Sequence, residues 1–173
     1  MSDERVVIFI DGSNFYFGCK SLLGRANVDF YRLSLLLAGD RKLIRTYYYN
    51  VPLNKESDET KYKKQQKFFE WLKKTPYLEL RLGRLVNRSG VFMEKGVDVH
   101  IAIDMLTLAW NNVYDTAILI TGDGDFVEAV KSVKERGKHV ENAYFKATQS
   151  NALRDACDVD IELTKELLEK CQV

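Results

Sequence analysis

Two short loops place acidic side chains directly after apolar runs and beside glycines. The stretch ILITGDGDF contains Asp123 and Asp125, which are separated by one glycine. Near the N-terminus, FIDGSN places Asp11 after another apolar run, followed by Ser13 and Asn14. Asp and Asn beside Gly are also common in turns, and Asp125 could cap the helix that it begins. Two such loops after two buried strands favour a shared functional site over simple turns.

A further acid belongs to the helix predicted over 95–110. The apolar stripe of this helix passes through Ile101 and Met105, and Asp98 lies on the same stripe in the first turn. The helix dipole favours a first-turn aspartate, but it does not explain a charge on the apolar face. We therefore include Asp98 in the predicted site. Asp104 lies on another face, and we expect it to be a surface or salt-bridging residue, with a role in the site as the secondary possibility.

Convergence of these carboxylates would have a strong electrostatic consequence. At ~4 Å and an effective dielectric near 20, two such charges repel by about 4 kcal/mol. Several pairs would rival the roughly 5–15 kcal/mol stability of a domain. The carboxylates must therefore take up protons or bind a cation. Oxygen ligands without nearby His or Cys favour Mg²⁺ or Mn²⁺, and Ser13, Asn14 and Thr121 could hold a water or a phosphate oxygen.

Short apolar strands alternate with helical patterns along the chain. The predicted strands cover 5–10, 42–49, 77–85, 116–120 and 139–145. The predicted helices cover 15–23, 28–39, 57–74, 95–110 and 125–137, with a largely helical tail from 150. This alternation is typical of an α/β fold with a mostly parallel sheet and helices on both faces. Ligands of such sheets bind at the carboxyl ends of the strands, which is where the two acidic loops are expected.

The remaining organisation and composition limit the classes of protein. Residues 1–173 suit a single domain, and residues 85–96 are predicted to form a hairpin or a mobile flap leading to Asp98.

No apolar run approaches the ~20 residues of a membrane span, so we expect no membrane partner and a cytoplasmic protein. Three scattered cysteines and two histidines argue against a disulfide framework or a zinc site. With a net charge of +1, any nucleic-acid binding must use a local patch.

Three motifs in order, FIDGSN, KGVDV and LITGDGDF, resemble the NYN-domain family in its LabA-like branch, within the PIN-like nuclease superfamily. The resemblance spans about residues 5–160. It implies a three-layer α/β/α sandwich and a Mg²⁺- or Mn²⁺-dependent ribonuclease. It also implies the site residues, which are Asp11, Asn14, Asp98, Asp123 and Asp125. Related folds often pair, so a homodimer is a candidate assembly.

A basic stretch is the candidate path for single-stranded RNA. Lys61 and Lys64 lie in it, Arg84 and Lys95 follow, and aromatic residues including those of 47–49 are interspersed. Lysine and arginine contacts to phosphate, with bases stacked on aromatic rings, are a common way to bind single strands. A lysine-rich helix face is more often simply solvated, and Phe68, Phe69 and Trp71 are expected mainly in the core.

Two other functions fit parts of this pattern. One is a binding module of the same fold that recognises RNA or a protein without cleaving. The other is a sugar-nucleotide transferase, in which an Asp-x-Asp pair such as Asp123 and Asp125 holds a metal and a diphosphate. The transferase pattern does not require Asp11 or Asp98, and the chain is short for such an enzyme.

Overall fold

Six parallel strands form one sheet in the computed structural model, which describes residues 2–173. Their order across the sheet is β3-β2-β1-β6-β7-β8. The strands are β1 (Arg5–Asp11), β2 (Lys42–Asn50), β3 (Leu78–Leu82), β6 (Thr116–Ile120), β7 (His139–Tyr144) and β8 (Val159–Glu162). Two more strands, β4 (Arg84–Arg88) and β5 (Val91–Lys95), form a separate antiparallel hairpin. The parallel sheet predicted from the sequence is confirmed.

Helices cover both faces of this sheet. The first face is covered by α1 (Gly12–Leu23), α2 (Phe30–Ala38), α3 (Glu59–Lys73) and α7 (Lys165–Glu169). The second face is covered by α4 (Val97–Trp110), α5 (Val127–Glu135) and α6 (Asn151–Ala156). The arrangement is a three-layer α/β/α sandwich, as expected. Among residues 2–173, no helix combines the length and the apolar character needed to cross a bilayer.

The central strand β1 contributes to both cores. Val6, Ile8 and Ile10 pack with the helices of the first face, whereas Val7 and Phe9 pack with those of the second. All five side chains are fully buried, and each contributes roughly 1.5–3 kcal/mol by leaving water. Because both faces of the strand are covered, its sequence is a continuous apolar run rather than an alternating one.

The direction in which the chain adds strands reverses between β1 and β6. From β1 the chain adds β2 and β3 on one side, and it then returns to add β6, β7 and β8 on the other. The connections on the two sides leave in opposite directions, which opens a crevice at the carboxyl ends of β1 and β6. Asp11 ends β1, and residues 121–125 follow β6, so both acidic loops border this crevice.

Two sequence predictions about strands were wrong. The strand predicted over 77–85 is interrupted at Gly83, where a Cβ atom would come within 2.8 Å of the Lys95 carbonyl oxygen. The chain before Gly83 joins the main sheet, and the chain after it enters the hairpin. The tail from residue 150 was predicted to be largely helical, but it includes β8, which pairs with the edge of β7.

The hairpin predicted within 85–96 is confirmed. Its two-residue turn consists of Ser89 and Gly90, with φ angles of 52° and 82°. Two consecutive residues at positive φ are typical of the type I′ turn, whose twist matches that of paired strands. The hairpin ends at Lys95, and one glycine connects it to α4. It thereby places its last residues beside Asp98.

Candidate active site

Asp11 is a buried carboxylate at the carboxyl end of the central strand. Its side chain is 7% exposed, and both of its oxygens accept hydrogen bonds. The backbone N–H of Asn14 donates to Oδ1 at 3.1 Å, and the hydroxyl of Thr121 donates to Oδ2 at 3.1 Å. Asp11 thus caps the N-terminus of α1 and is held from two sides.

Asn14 joins the two acidic loops. Its backbone N–H contacts Asp11, and its side-chain Oδ1 accepts a hydrogen bond from the backbone N–H of Gly122 at 3.2 Å. One residue therefore fixes the start of α1 relative to the loop after β6. In this structure Asn14 positions the site through these two contacts.

The loop after β6 is organised by its own polar side chains. The Thr121 hydroxyl oxygen accepts from the N–H of Asp123 at 3.2 Å, and Asp123 Oδ1 accepts from the N–H of Asp125 at 2.9 Å. Asp123 therefore caps the short 3₁₀ helix Gly124–Phe126. The capping role considered for Asp125 belongs to Asp123, and Asp125 itself is exposed.

The glycines of both loops permit close approach between segments of backbone. A Cβ at Gly12 would collide with the Tyr49 carbonyl oxygen and the Tyr48 ring. A Cβ at Gly122 would collide with the carbonyl group of Thr148. Because backbone carbonyls cannot rotate away as side chains can, glycine is required at both positions for the loops to approach as they do.

Asp11 opens into a cleft of about 310 Å³ between the start of α1 and the start of α4. The cleft is lined by Asp11, Ser13, Asn14, Phe17, Glu94, Gly96, Val97 and Asp98. Asp98 is exposed to solvent rather than packed in the core. We expected Asp98 on the inward-facing stripe of α4, and this expectation was wrong. Asp98 faces the cleft, at the edge of the face that α4 turns to the core.

Loss of solvent, and then repulsion between like charges, disfavours the charged forms of Asp11 and Asp98. Burial raises the pKa of the Asp11 carboxyl above its ordinary 3.8, and the charges of Asp123 and Glu94 raise it further against the hydrogen bonds from Asn14 and Thr121. Partial desolvation at the cleft wall, and then the charges of Asp11, Asp123 and Asp125, raise the pKa of Asp98. Asp11 and Asp98 thus both lie near the charge of Asp123, and Asp98 also lies near Asp125.

The donor set suits a hard cation in charge and chemistry. All of its ligand atoms would be carboxylate or amide oxygens, the preferred partners of Mg²⁺ and Mn²⁺. Among residues 2–173, however, no three His, Cys, Asp or Glu side chains are grouped closely enough to hold an ion by themselves. Mg²⁺ usually keeps several waters and takes one or two carboxylates, so the residues present fit an ion that remains partly hydrated.

Asp104 belongs to a different polar cluster. It accepts a hydrogen bond from the Tyr49 hydroxyl at 2.7 Å, and Arg81 lies 3.8 Å away. The expectation of a salt-bridging role for Asp104 is confirmed. Asp98 and Asp104 therefore differ in their surroundings although both lie on α4.

The residues predicted to contact RNA are dispersed. Lys61 pairs with Asp58 at 3.3 Å, and Lys64 is exposed on the same helix. Arg84 lies opposite Lys95 in the hairpin, and it lines a second groove rather than the cleft at Asp11. The tyrosines of 47–49 are at most 7% exposed, so the idea that they stack on bases is wrong. These tyrosines instead pack in the two hydrophobic cores.

Three residues of the site were not predicted from the sequence. Glu94 reaches the cleft from the hairpin, and Phe17 reaches it from α1. Asn142, which is fully buried on β7, donates through Nδ2 to the carbonyl oxygens of Leu119 and Thr121 and so supports the acidic loop. Of these three residues, only Glu94 could have been suspected from the sequence, because it is an acid four positions before Asp98.

Comparisons with known proteins agree with this architecture. The family model of the NYN domain matches residues 5–164. The low amplitude and bright protein LabA of Synechococcus elongatus is 25% identical, over 98% of this chain and 90% of that protein. An uncharacterized protein of Methanocaldococcus jannaschii is 37% identical over 70 residues, which span 40% of this chain and only 29% of that protein.

A solved structure has the same fold. The crystal structure of a protein of unknown function from Vibrio parahaemolyticus matches with a TM-score of 0.77. The match covers 96% of this chain and 98% of that chain, at 24% sequence identity. This likeness establishes the fold.

Proposed function

The chain belongs to the NYN-domain family, in its LabA-like branch of the PIN-like nucleases, and on that premise we propose that it is a ribonuclease that hydrolyses RNA phosphodiester bonds with Mg²⁺ or Mn²⁺. The observation that supports this best is the buried carboxylate of Asp11 at the switch point of the sheet. Its charge is opposed by burial and by neighbouring acids, so a cation in the cleft would relieve the repulsion.

The protein's own groups have distinct parts in this proposal. Asp11 is held by Asn14 and Thr121, so its oxygens keep one orientation before and during the reaction, which lowers the reorganisation needed. Asp98, Asp123 and Asp125 would hold the ion directly or through water. A bound divalent ion would supply a more acidic water and neutralise charge on the phosphate. Ser13, at the cleft wall, would hold a phosphate oxygen.

The test is cleavage of a mixed pool of single-stranded RNA by the full chain. We expect cleavage with Mg²⁺ or Mn²⁺, loss of cleavage with EDTA, and loss in Asp11→Asn. Activity that persists unchanged in Asp11→Asn would mean a contaminating nuclease or another site. No cleavage with either metal, from a folded protein, would contradict the proposal.

A second candidate is a binding module of the same fold, which one observation favours. In the described part of the chain, the acids do not form a ready-made group of three ligands. Binding of RNA or a protein without cleavage would support this alternative. The sugar-nucleotide transferase is disfavoured by the NYN-family membership, and stabilisation by UDP with Mn²⁺ but not by RNA would revive it.

The same proposal includes the compartment, the RNA partner and the assembly of the protein. We also propose that the protein acts in the cytoplasm and that its partner is single-stranded RNA, which the cleft at Asp11 is open enough to admit. Lys61, Lys64, Arg84 and Lys95 remain candidate phosphate contacts along the strand. A homodimer is tested by measuring the mass of the protein in solution.

A further inference from the structure

Phe17 is an exposed aromatic side chain in the wall of a mostly polar cleft. It is 66% exposed, and it lines the same cleft as Asp11, Asn14 and Asp98. It lies four residues after Ser13 on α1, so the two side chains project from one face of the helix. A phenyl ring can neither ligate a cation nor exchange a proton, so the chemistry proposed for the acids does not account for it.

The packing of α1 does not account for Phe17 either. The core side of this helix is formed by Phe15, Gly18 and Cys19, all buried. Phe17 points away from them. A phenyl ring that is 66% exposed adds little to the stability of the fold by burial. A ligand in the cleft would cover this remaining apolar surface.

The ring contacts one aromatic neighbour. Tyr16 packs against Phe17 with ring centroids 5.4 Å apart and an interplanar angle of 76°, an edge-to-face pair. The Lys20 ammonium lies 5.6 Å from the centre of the Tyr16 ring. An aromatic side chain has only two side-chain torsions, so it loses little entropy when a flat ligand stacks on it.

We propose that Phe17 is a stacking platform for an unpaired nucleobase next to the phosphate held at the carboxylates. This proposal rests on the proposed function for the identity of the ligand. A base is joined to its phosphate through a single sugar, so a phosphate in the cleft at Asp11 brings a base to the cleft wall. Stacking on an aromatic ring accepts every base, because each has a π-face. In a duplex those faces are already stacked, so the platform selects single strands.

The experiment measures binding of a short single-stranded RNA that contains one 2-aminopurine, in Ca²⁺ so that binding is separated from cleavage. Base stacking contributes about 1–3 kcal/mol per base, so Phe17→Leu should weaken binding about five- to 150-fold. It should also reduce the quenching of 2-aminopurine fluorescence. Phe17→Trp, which keeps a stacking face, should bind as the wild type does. Binding of the matching duplex should not change.

Trp110→Leu is the matched control. Trp110 is 67% exposed, like Phe17, but it lies at the opposite end of α4 from Asp98, about 18 Å away along the helix axis at 1.5 Å per residue. This variant should bind RNA normally. Equal affinity of the wild type and Phe17→Leu for the single strand would overturn the proposal. So would a change in oligomeric state in Phe17→Leu with RNA binding intact, which would make the ring a protein contact.

The outcome separates this inference from the proposed function. Binding that depends on Phe17 in a protein that does not cleave with Mg²⁺ or Mn²⁺ would support the platform and contradict the nuclease. Cleavage that is as fast in Phe17→Leu as in the wild type, with unchanged affinity and quenching, would support the nuclease and contradict the platform.

Discussion

The Thr121 hydroxyl donates to Oδ2 of Asp11 at 3.1 Å, a hydrogen bond between residues 110 positions apart in the chain. It joins the carboxyl ends of β1 and β6 at the switch point of the sheet. A donor to a carboxylate favours its charged form, whereas burial of Asp11 favours the neutral form. Thr121 therefore moderates the rise in the pKa of Asp11 while it orients the carboxylate.

Replacing Thr121 by valine tests this role. The variant keeps the shape of the side chain but removes the donor to Asp11 and the acceptor for the Asp123 N–H. Loss of buried hydrogen bonds should lower the free energy of unfolding by about 1–3 kcal/mol. The pKa of Asp11 should rise further, so any cleavage that needs the ionised form should shift to higher pH. Urea denaturation and a pH–rate profile measure both effects.

Thr121→Ser is the control for this prediction, because serine retains the hydroxyl. It should keep the wild-type pH profile. A valine variant with an unshifted profile would mean that the hydroxyl does not influence the ionisation of Asp11.

Partial desolvation of Asp98 and the charges around it predict an unusual dependence of stability on pH. Its pKa is raised above 3.8 in the folded protein, so between 3.8 and the raised value the folded state binds more protons than the unfolded state. Stability contributed by this group is then present at low pH and falls as pH rises through that window. Asp98→Asn should therefore be more stable than the wild type at neutral pH, measured in EDTA, with the difference vanishing well below 3.8.

The exposed Asp3 provides a comparison for this measurement. Asp3→Asn should change stability little at any pH, since surface substitutions are usually within about 0.5 kcal/mol. An Asp98→Asn variant less stable than the wild type at neutral pH would show that Asp98 is not under repulsion in the folded protein.

A divalent cation should reverse the order of stability expected in EDTA, so that the wild type becomes more stable than Asp98→Asn. An ion that binds only the folded state at a hundred times its Kd adds about 2.7 kcal/mol of stability. For a chain of this length, that corresponds to a rise of about 5–10 °C in Tm. Mn²⁺ should therefore raise the Tm of the wild type, and raise that of Asp11→Asn or Asp98→Asn much less. An equal rise in all three proteins would place the ion elsewhere.

Much of the fold could be predicted from the sequence because its strands are covered on both faces. Continuous apolar runs marked β1 and β6, and the acids after them marked the edge where a ligand would bind. The start of α1 was placed at residue 15, but the helix begins at Gly12. Asp11 caps it directly, and a cap within a turn-like DGSN sequence cannot be distinguished from a loop by residue type alone.

Other features depend on contacts that local sequence does not specify. The strand Val159–Glu162 is only four residues long and largely exposed, so its place is set by pairing with β7. Glu94 lines the cleft because the hairpin ends at the start of α4, and no periodicity of the sequence indicates this placement. Phe17 was taken as part of an ordinary helix, since an aromatic residue one step from the core face has no sequence signal of exposure.

Gly122→Ala tests the close approach of the two loops at the site. The new Cβ would meet the backbone carbonyl of Thr148, so the loop must move. Overpacking of this kind costs about 1–3 kcal/mol, and displacement of Asp123 by even ~1 Å can lower activity about a hundredfold. Thermal unfolding and RNA cleavage rates measure the two effects.

Gly24→Asn is the control for this substitution. Gly24 has a φ of 72° at the end of α1, and nothing lies within 4 Å of a Cβ there. Asparagine tolerates this conformation, so both stability and activity should stay near wild type. A Gly122→Ala variant with wild-type activity would mean that the loop after β6 need not hold this position.

Asp98 and Asp104 form a matched pair on one helix, and their replacement by asparagine should have opposite effects on stability. Asp98 lies among like charges at the cleft, whereas Asp104 accepts a hydrogen bond from the Tyr49 hydroxyl and lies near Arg81. Asp98→Asn should therefore raise stability in the absence of metal and lower cleavage about a hundredfold through loss of a positioned ligand.

Asp104→Asn should lower stability instead, because it replaces the charged acceptor of the partly buried hydrogen bond from Tyr49. A hydrogen bond to a charged group contributes about 1.5–3 kcal/mol, and part of this should be lost. Its stability should fall, while its cleavage rate at a temperature where it is folded should equal that of the wild type. Both variants remove one negative charge from α4, so a general effect of net charge would change the two alike. If Asp104→Asn lost cleavage and Asp98→Asn kept it, the site would have to be placed at the Tyr49–Arg81 cluster instead of the cleft at Asp11.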